Sequence, residues 1–83
     1  MDAEDVQLEL AKLDPQKMTL GEIVKALMHC TGMITGKNIK EYCFGEEISA
    51  EEEAMAGAMT HFMEKCYKEL DNREKKYYNT NTK

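Results

Sequence analysis

The stretch that decides the fold is SAEEEAMAGAMTHFMEKCYKELDNREKK, residues 49–76. Met55, Met59 and Met63 recur at i, i+4 and i+8, which places them on one face of an α-helix. Ala58, Phe62, Cys66 and Leu70 extend that apolar face, and Tyr67 widens it. Ser49-Ala50-Glu51-Glu52 has the form of a capping box, so the helix is expected to start there. The acids behind Ser49 also suit the positive end of the helix dipole. Further along, Glu64 with Lys68, Glu69 with Arg73 and Asp71 with Lys75 are i, i+4 pairs in the favourable order, each worth about 0.3 kcal/mol. They carry the helix through a polar stretch. From Ala50 to Lys76 it is roughly 40 Å long at about 1.5 Å per residue. A small domain cannot cover that length, so the C-terminal end is expected to project. Residues 1–78 are expected to form one helical domain and 79–83 a polar tail, frayed as chain ends commonly are.

Upstream, Val6, Leu10 and Leu13 fall at i, i+4 and i+7, a single apolar stripe over Ala3 to Leu13. Asp14-Pro15 ends that segment, because the residue before proline is driven out of the helical region. Thr19-Leu20-Gly21-Glu22 is a second capping box, with Met18 and Ile23 placed as a hydrophobic staple. Leu20, Ile23, Val24, Leu27 and Cys30 or Thr31 follow as the core stripe, and Gly32 reads as a C-terminal stop. Thr35-Gly36-Lys37-Asn38 reads as a turn. A short fourth helix is expected between there and Phe44, with Ile39, Tyr42 and Cys43 inward. A strand is the alternative for these β-branched and aromatic residues, but a lone strand has no evident partner. The expected fold is therefore all-α: a small bundle of three main helices plus a short fourth element. The long C-terminal helix is its spine, and its methionine face packs on the two earlier stripes.

The chain has 83 residues, 42% of them apolar and 33% charged, enough for one small core. No apolar run reaches the ~18–20 residues of a membrane span. Met1-Asp2-Ala3-Glu4-Asp5 is acidic and carries no apolar h-region, so no secretory signal is expected. The three cysteines are then expected as free thiols in a reducing, cytoplasmic compartment. A net charge of −5 argues against general affinity for nucleic acid. The acids fall in two groups, one over Asp2 to Asp14 and one at Glu46, Glu47, Glu51, Glu52 and Glu53. Positive charge gathers at Lys65, Lys68, Arg73, Lys75 and Lys76.

Several constellations can be weighed against plainer readings. The methionine ladder with His61 and Cys66 has ligand types suited to Cu(I), yet helical packing or a malleable docking surface explains the same spacing. Cys30, Cys43 and Cys66 with His29 and His61 lack the short paired spacing of a structural zinc site. None of those cysteines has a local signature of a nucleophile paired with a histidine base. Gly32 to Asn38 echoes a phosphate loop only faintly, without the glycine spacing, the Ser or Thr after the lysine, or a preceding strand. No catalysis, metal or cofactor is expected. A helix-turn-helix is the main alternative, with Leu20 to Thr31 as first helix and Asn38 to Phe44 as reader, and Lys37, Lys40 and Tyr42 facing phosphates. The second acidic group could instead imitate a phosphate backbone or dock on a basic protein. Ala54, Gly57 and Ala58 would admit another backbone closely, from this chain or from a second copy.

Met18-Thr19-Leu20-Gly21-Glu22-Ile23-Val24-Lys25-Ala26-Leu27, followed by Cys30, resembles the opening of small uncharacterised phage and prophage proteins of low-GC Gram-positive bacteria. Those proteins continue into closely spaced cysteines, which this chain lacks. The resemblance implies a mobile-element protein acting inside a bacterial host cell, where small acidic proteins of that origin often inhibit host or defence enzymes. The functional expectation is thus a small acidic module that inhibits or modulates a protein partner by occupying its surface. A nucleic-acid enzyme is the type of partner this suggests. The expected contact residues are Glu46, Glu47, Glu51, Glu52 and Glu53, or Tyr77 and Tyr78 at the far end of the long helix.

Overall fold

The computed structural model describes residues 2–81, and side chains for residues 2–78. Three α-helices make the fold: α1 (Ala3–Ala11), α2 (Leu20–Asn38) and α3 (Ala50–Asn81). A 3-10 turn, Pro15–Lys17, joins α1 to α2, and a π-helical turn, Ile39–Cys43, continues α2. The all-α bundle with a long C-terminal helix is as the sequence leads one to expect.

The helix starts follow from their caps. Asp2 accepts from the Asp5 amide at 2.9 Å. Thr19 accepts from the Glu22 amide at 3.1 Å while Glu22 accepts from the Thr19 amide at 2.8 Å, a complete capping box. Ser49 accepts from the Glu52 amide at 3.1 Å. α1 closes at Ala11, two residues short of the expected Leu13, which is exposed. Asp14 then accepts from the Gln16 amide at 3.0 Å and folds the proline into the 3-10 turn. Pro15 itself is buried.

α3 is the spine, and both other helices lie along it. α1 runs parallel to it: the Ala3 amide donates to Glu51 of α3 at 2.8 Å, and the turn after α1 reaches Arg73. α2 returns antiparallel, from Met18 beside Arg73 to Lys40 beside Glu52. Among the described residues five side chains form the buried core: Ile23, Cys30, Met59, Phe62 and Cys66. Val6, Leu10, Met18, Ala26, Leu27, Ile34, Met63 and Leu70 pack around them half-buried. α3 extends to Asn81, past the expected Lys76. Its backbone so takes up part of the segment read as a polar tail, while Thr82 and Lys83 lie outside the described residues. Glu69–Arg73 and Asp71–Lys75 form as i, i+4 ion pairs at 2.6 and 3.1 Å.

Three expectations need correction. Gly32 does not end α2, and Thr35 to Asn38 is not a turn: the helix runs unbroken through both glycines to Asn38. The stop lies at Gly45, the one described residue with positive φ, at 65°. There the Phe44 amide donates to Ile39 at 3.2 Å and the Glu46 amide to Lys40 at 3.0 Å. The second of these is one residue wider than the six-to-one closure that a glycine at C′ permits, as the wider π-turn before it requires. The fourth element is therefore the π-turn, and Ile39, Tyr42 and Cys43 on it face outward rather than inward. Leu20 and Val24, expected in the core stripe, are exposed as well. The expected stripe took in two residues of the neighbouring row: α3 covers the side carrying Ile23, Ala26, Leu27, Cys30 and Ile34, and leaves the row of Leu20 and Val24 open.

Candidate functional site

The two ends of the bundle are built differently. At one end Arg73 closes the fold. Its Nη2 donates to the carbonyls of Met18 at 2.6 Å and Pro15 at 3.1 Å, and its Nε donates to Glu69 at 2.6 Å. The planar fork of arginine can satisfy three acceptors at once. One side chain of α3 thereby holds the α1–α2 connection.

The other end is formed by the π-turn, the connector 44–49 and the start of α3. Lys37 pairs with Glu53 at 3.0 Å, and Lys40 with Glu52 at 3.3 Å. Ser49 adds a hydrogen bond to Glu52 at 3.3 Å. The Glu53 hydrogen bond to Lys37 raises the lysine above its ordinary pKa. The Lys40 hydrogen bond lowers Glu52, assisted by Lys40's charge and by Ser49. Glu51 is engaged with the α1 amide already named. Three of the five expected acids therefore fasten α1 and α2 to α3. Glu46 and Glu47 stand exposed in the connector.

Apolar groups at this end point outward. Tyr42 is 76% exposed and Phe44 74% exposed. A hydrogen bond to Glu41 raises the Tyr42 phenol above its ordinary range. π-turns are rare and concentrate at functional positions, since the extra residue re-aims side chains. Beside them, Met33, Ile34, Met55 and Met59 line an open groove of about 310 Å³, with Lys37, Lys40 and Glu52 at its rim. Adaptable methionines beside rigid aromatics suit a contact surface.

The remaining candidates are dispersed. Tyr77 and Tyr78 lie on the distal part of α3, exposed, with ring centroids 5.7 Å apart in an edge-on arrangement. They are far along α3 from the acids at its start, so the two groups of expected contact residues do not form one surface. Cys30 and Cys66 sit in the core, where burial pushes both thiols up in pKa, away from nucleophilic thiolate. Cys43 is exposed on the π-turn. Among the described residues no three His, Cys, Asp or Glu side chains are grouped to share a metal ion. Among them, too, no helix is long and apolar enough to cross a membrane.

Sequence reasoning missed Phe44 and misplaced Tyr42. Gly45 was the available signal. A glycine directly after an aromatic run marks a helix C-terminus, and the last turn before such a stop is seldom covered. Comparison with protein-family models, curated proteins and solved structures finds no match to this chain.

Proposed function

We propose that the chain is a small acidic protein-binding module, which inhibits or modulates a protein partner by covering part of its surface. The docking end is the π-turn and connector. The observation that carries this reading is the exposure of Tyr42 on the π-turn and of Phe44 directly after it. Aromatic side chains held in place anchor protein interfaces at little entropic cost. Around them Glu46 and Glu47 add unshared negative charge, which favours a partner with a basic rim around an apolar pocket. A nucleic-acid enzyme has such a surface. The resemblance over residues 18–30 supports an origin in a mobile element and action in the cytoplasm of a bacterial host. No catalytic step, cofactor or metal belongs to this reading.

Nothing at the π-turn favours the helix-turn-helix alternative. It needs a turn between two helices where α2 is continuous. It also needs Lys37 and Lys40 for phosphates, and both are held by carboxylates of α3.

The test is affinity capture from host lysate with the wild-type chain and with Tyr42→Ser/Phe44→Ser. Loss of one anchoring aromatic costs about 2 kcal/mol, so recovery of the partner should fall roughly thirty-fold or more. Equal capture by both chains overturns the reading. So does sequence-selective DNA binding at low salt that Lys37→Glu/Lys40→Glu abolishes.

A further inference from the structure

α2 carries two glycines, Gly32 and Gly36, inside a continuous helix. Each costs about 1 kcal/mol against alanine in a helix interior. The fold itself has no use for them. A Cβ built on either meets nothing within 4 Å, so no packed neighbour among the described residues needs the room. Both line the open groove of about 310 Å³ between α2 and α3, with Met33, Met55 and the buried Met59. At i, i+4 spacing the two glycines lie one above the other on one helical face. They leave a gap in the side chains there, which lets another chain approach closely. The lining positions on α2 run from Gly32 to Lys40, roughly 12 Å and so the length of two helical turns. Methionine walls adapt to an apolar side chain of any shape.

Charge selects what lies in this groove. The segment from Lys37 to Glu53 holds two lysines and six glutamates, a net −4 of the chain's −5. Both lysines are already engaged, Lys37 by Glu53 and Lys40 by Glu52. The connector meets the groove at Lys40, whose carbonyl accepts from the Glu46 amide. Glu46 and Glu47 are exposed beside it. Such a rim repels a nucleic acid or an anionic lipid surface and attracts a basic segment. A helix with apolar residues on one side and Lys or Arg on the other matches both the walls and the rim.

We propose that the α2–α3 groove holds a basic amphipathic helix of the partner, with an apolar side chain over Gly32 and Gly36 and its basic face toward Glu46 and Glu47. Resting on the docking reading above, this adds which part of the partner is held.

Fluorescence anisotropy with the full chain tests it. The probe is a labelled helical peptide with leucines on one face and lysines on the other. It should bind with a dissociation constant of about micromolar. Gly36→Leu should weaken binding about ten-fold or more, with the helical circular dichroism spectrum and the urea midpoint preserved, because the new side chain fills the groove. If that variant does not fold, Gly32→Ala/Gly36→Ala decides in the same way, since both positions have helical backbone. A peptide with glutamates in place of the lysines should bind about ten-fold more weakly at low salt. Equal binding by wild type and groove variant overturns the inference, and so does equal binding of the two peptides. Self-association of the wild type that Gly36→Leu abolishes also overturns it, by giving the groove to a second copy. The two readings fail separately. If Tyr42→Ser/Phe44→Ser loses the partner from lysate while Gly36→Leu captures it as well as the wild type does, the docking end stands and the groove is overturned. Peptide binding that survives Tyr42→Ser/Phe44→Ser and is lost in Gly36→Leu supports the groove, even where the aromatics prove unimportant for capture.

Discussion

The Arg73 end and the π-turn end use opposite parts of their side chains. At Arg73 the polar groups turn inward: two carbonyls and a carboxylate converge on one guanidinium. At the π-turn Lys37 of α2 and Lys40 of the turn pair with glutamates of α3 across the rim, while Tyr42 and Phe44 stand in solvent. Burying a polar fork secures a chain crossing. Exposing two aromatics secures nothing within the fold and costs hydrophobic stabilisation. The contrast separates what holds this molecule together from what is available to a partner. It also explains how a core of five residues suffices: hydrogen bonds and ion pairs fasten both ends of the two shorter helices to α3.

The largest expected effect comes from breaking the Arg73 end. Arg73→Ala leaves the Met18 carbonyl without its donor and Glu69, whose side chain is only 13% exposed, without its partner. Stranding a mostly buried carboxylate and a carbonyl costs about 3 kcal/mol. Urea denaturation at fixed protein concentration should show that loss, and Arg73→Lys should recover only part of it, since an ammonium lacks the fork. The matching change at the other end, Tyr42→Ser/Phe44→Ser, should move stability by less than about 0.5 kcal/mol. If the two changes cost the same, the division between the ends is wrong.

Much of the closed part of the fold was readable. Capping residues act over three or four positions, so Thr19 with Glu22 and Ser49 with Glu52 marked both long helices' starts. Arg73 was readable only in part. Its pairing with Glu69 follows from i, i+4 spacing, but its bonds to Pro15 and Met18 span more than fifty residues of sequence. The open end was misread for a physical reason. Glycine weakens a helix but does not forbid one, and tertiary packing decides. Gly32 and Gly36 lie in α2 because Cys30, Ile34 and Lys37 around them are held by α3. The acids of residues 51–53 looked like one surface because sequence shows charge and not its partners. The lysines that engage two of them come from α2 and the π-turn, more than ten residues away.

The three glycines give the next effect, with opposite signs. Gly45 has φ of 65°, a conformation that costs a residue with a Cβ about 1 kcal/mol. Gly45→Ala should destabilise by that amount and weaken capture of the partner, because the stop fixes where Phe44 points. Gly32 and Gly36 have helical backbone, and a Cβ built on either meets nothing within 4 Å. Gly32→Ala should therefore stabilise by about 0.5–1 kcal/mol in the same assay. A loss at Gly32 would restore the turn there and remove the continuous α2.

The smallest effect is the acid response of the open end. Glu52 is lowered in pKa by its hydrogen bond to Lys40. A carboxyl with a lower pKa in the folded state stabilises above its unfolded value, and that contribution disappears as pH falls through the folded one. Stability should therefore be level near neutrality and decline below the ordinary glutamate value of about 4.3. Lys37, raised by Glu53, has the reverse sign: its contribution is complete below the ordinary lysine value and is lost as pH rises past the raised one. Both pairs lie at the rim, where salt screens them. Glu52→Gln should thus make the acid decline shallower at low ionic strength and change little in high salt, with Arg73 still in place. A steep, salt-independent decline surviving Glu52→Gln would put the acid-sensitive contact outside the rim pairs and separate the acid response from the open end.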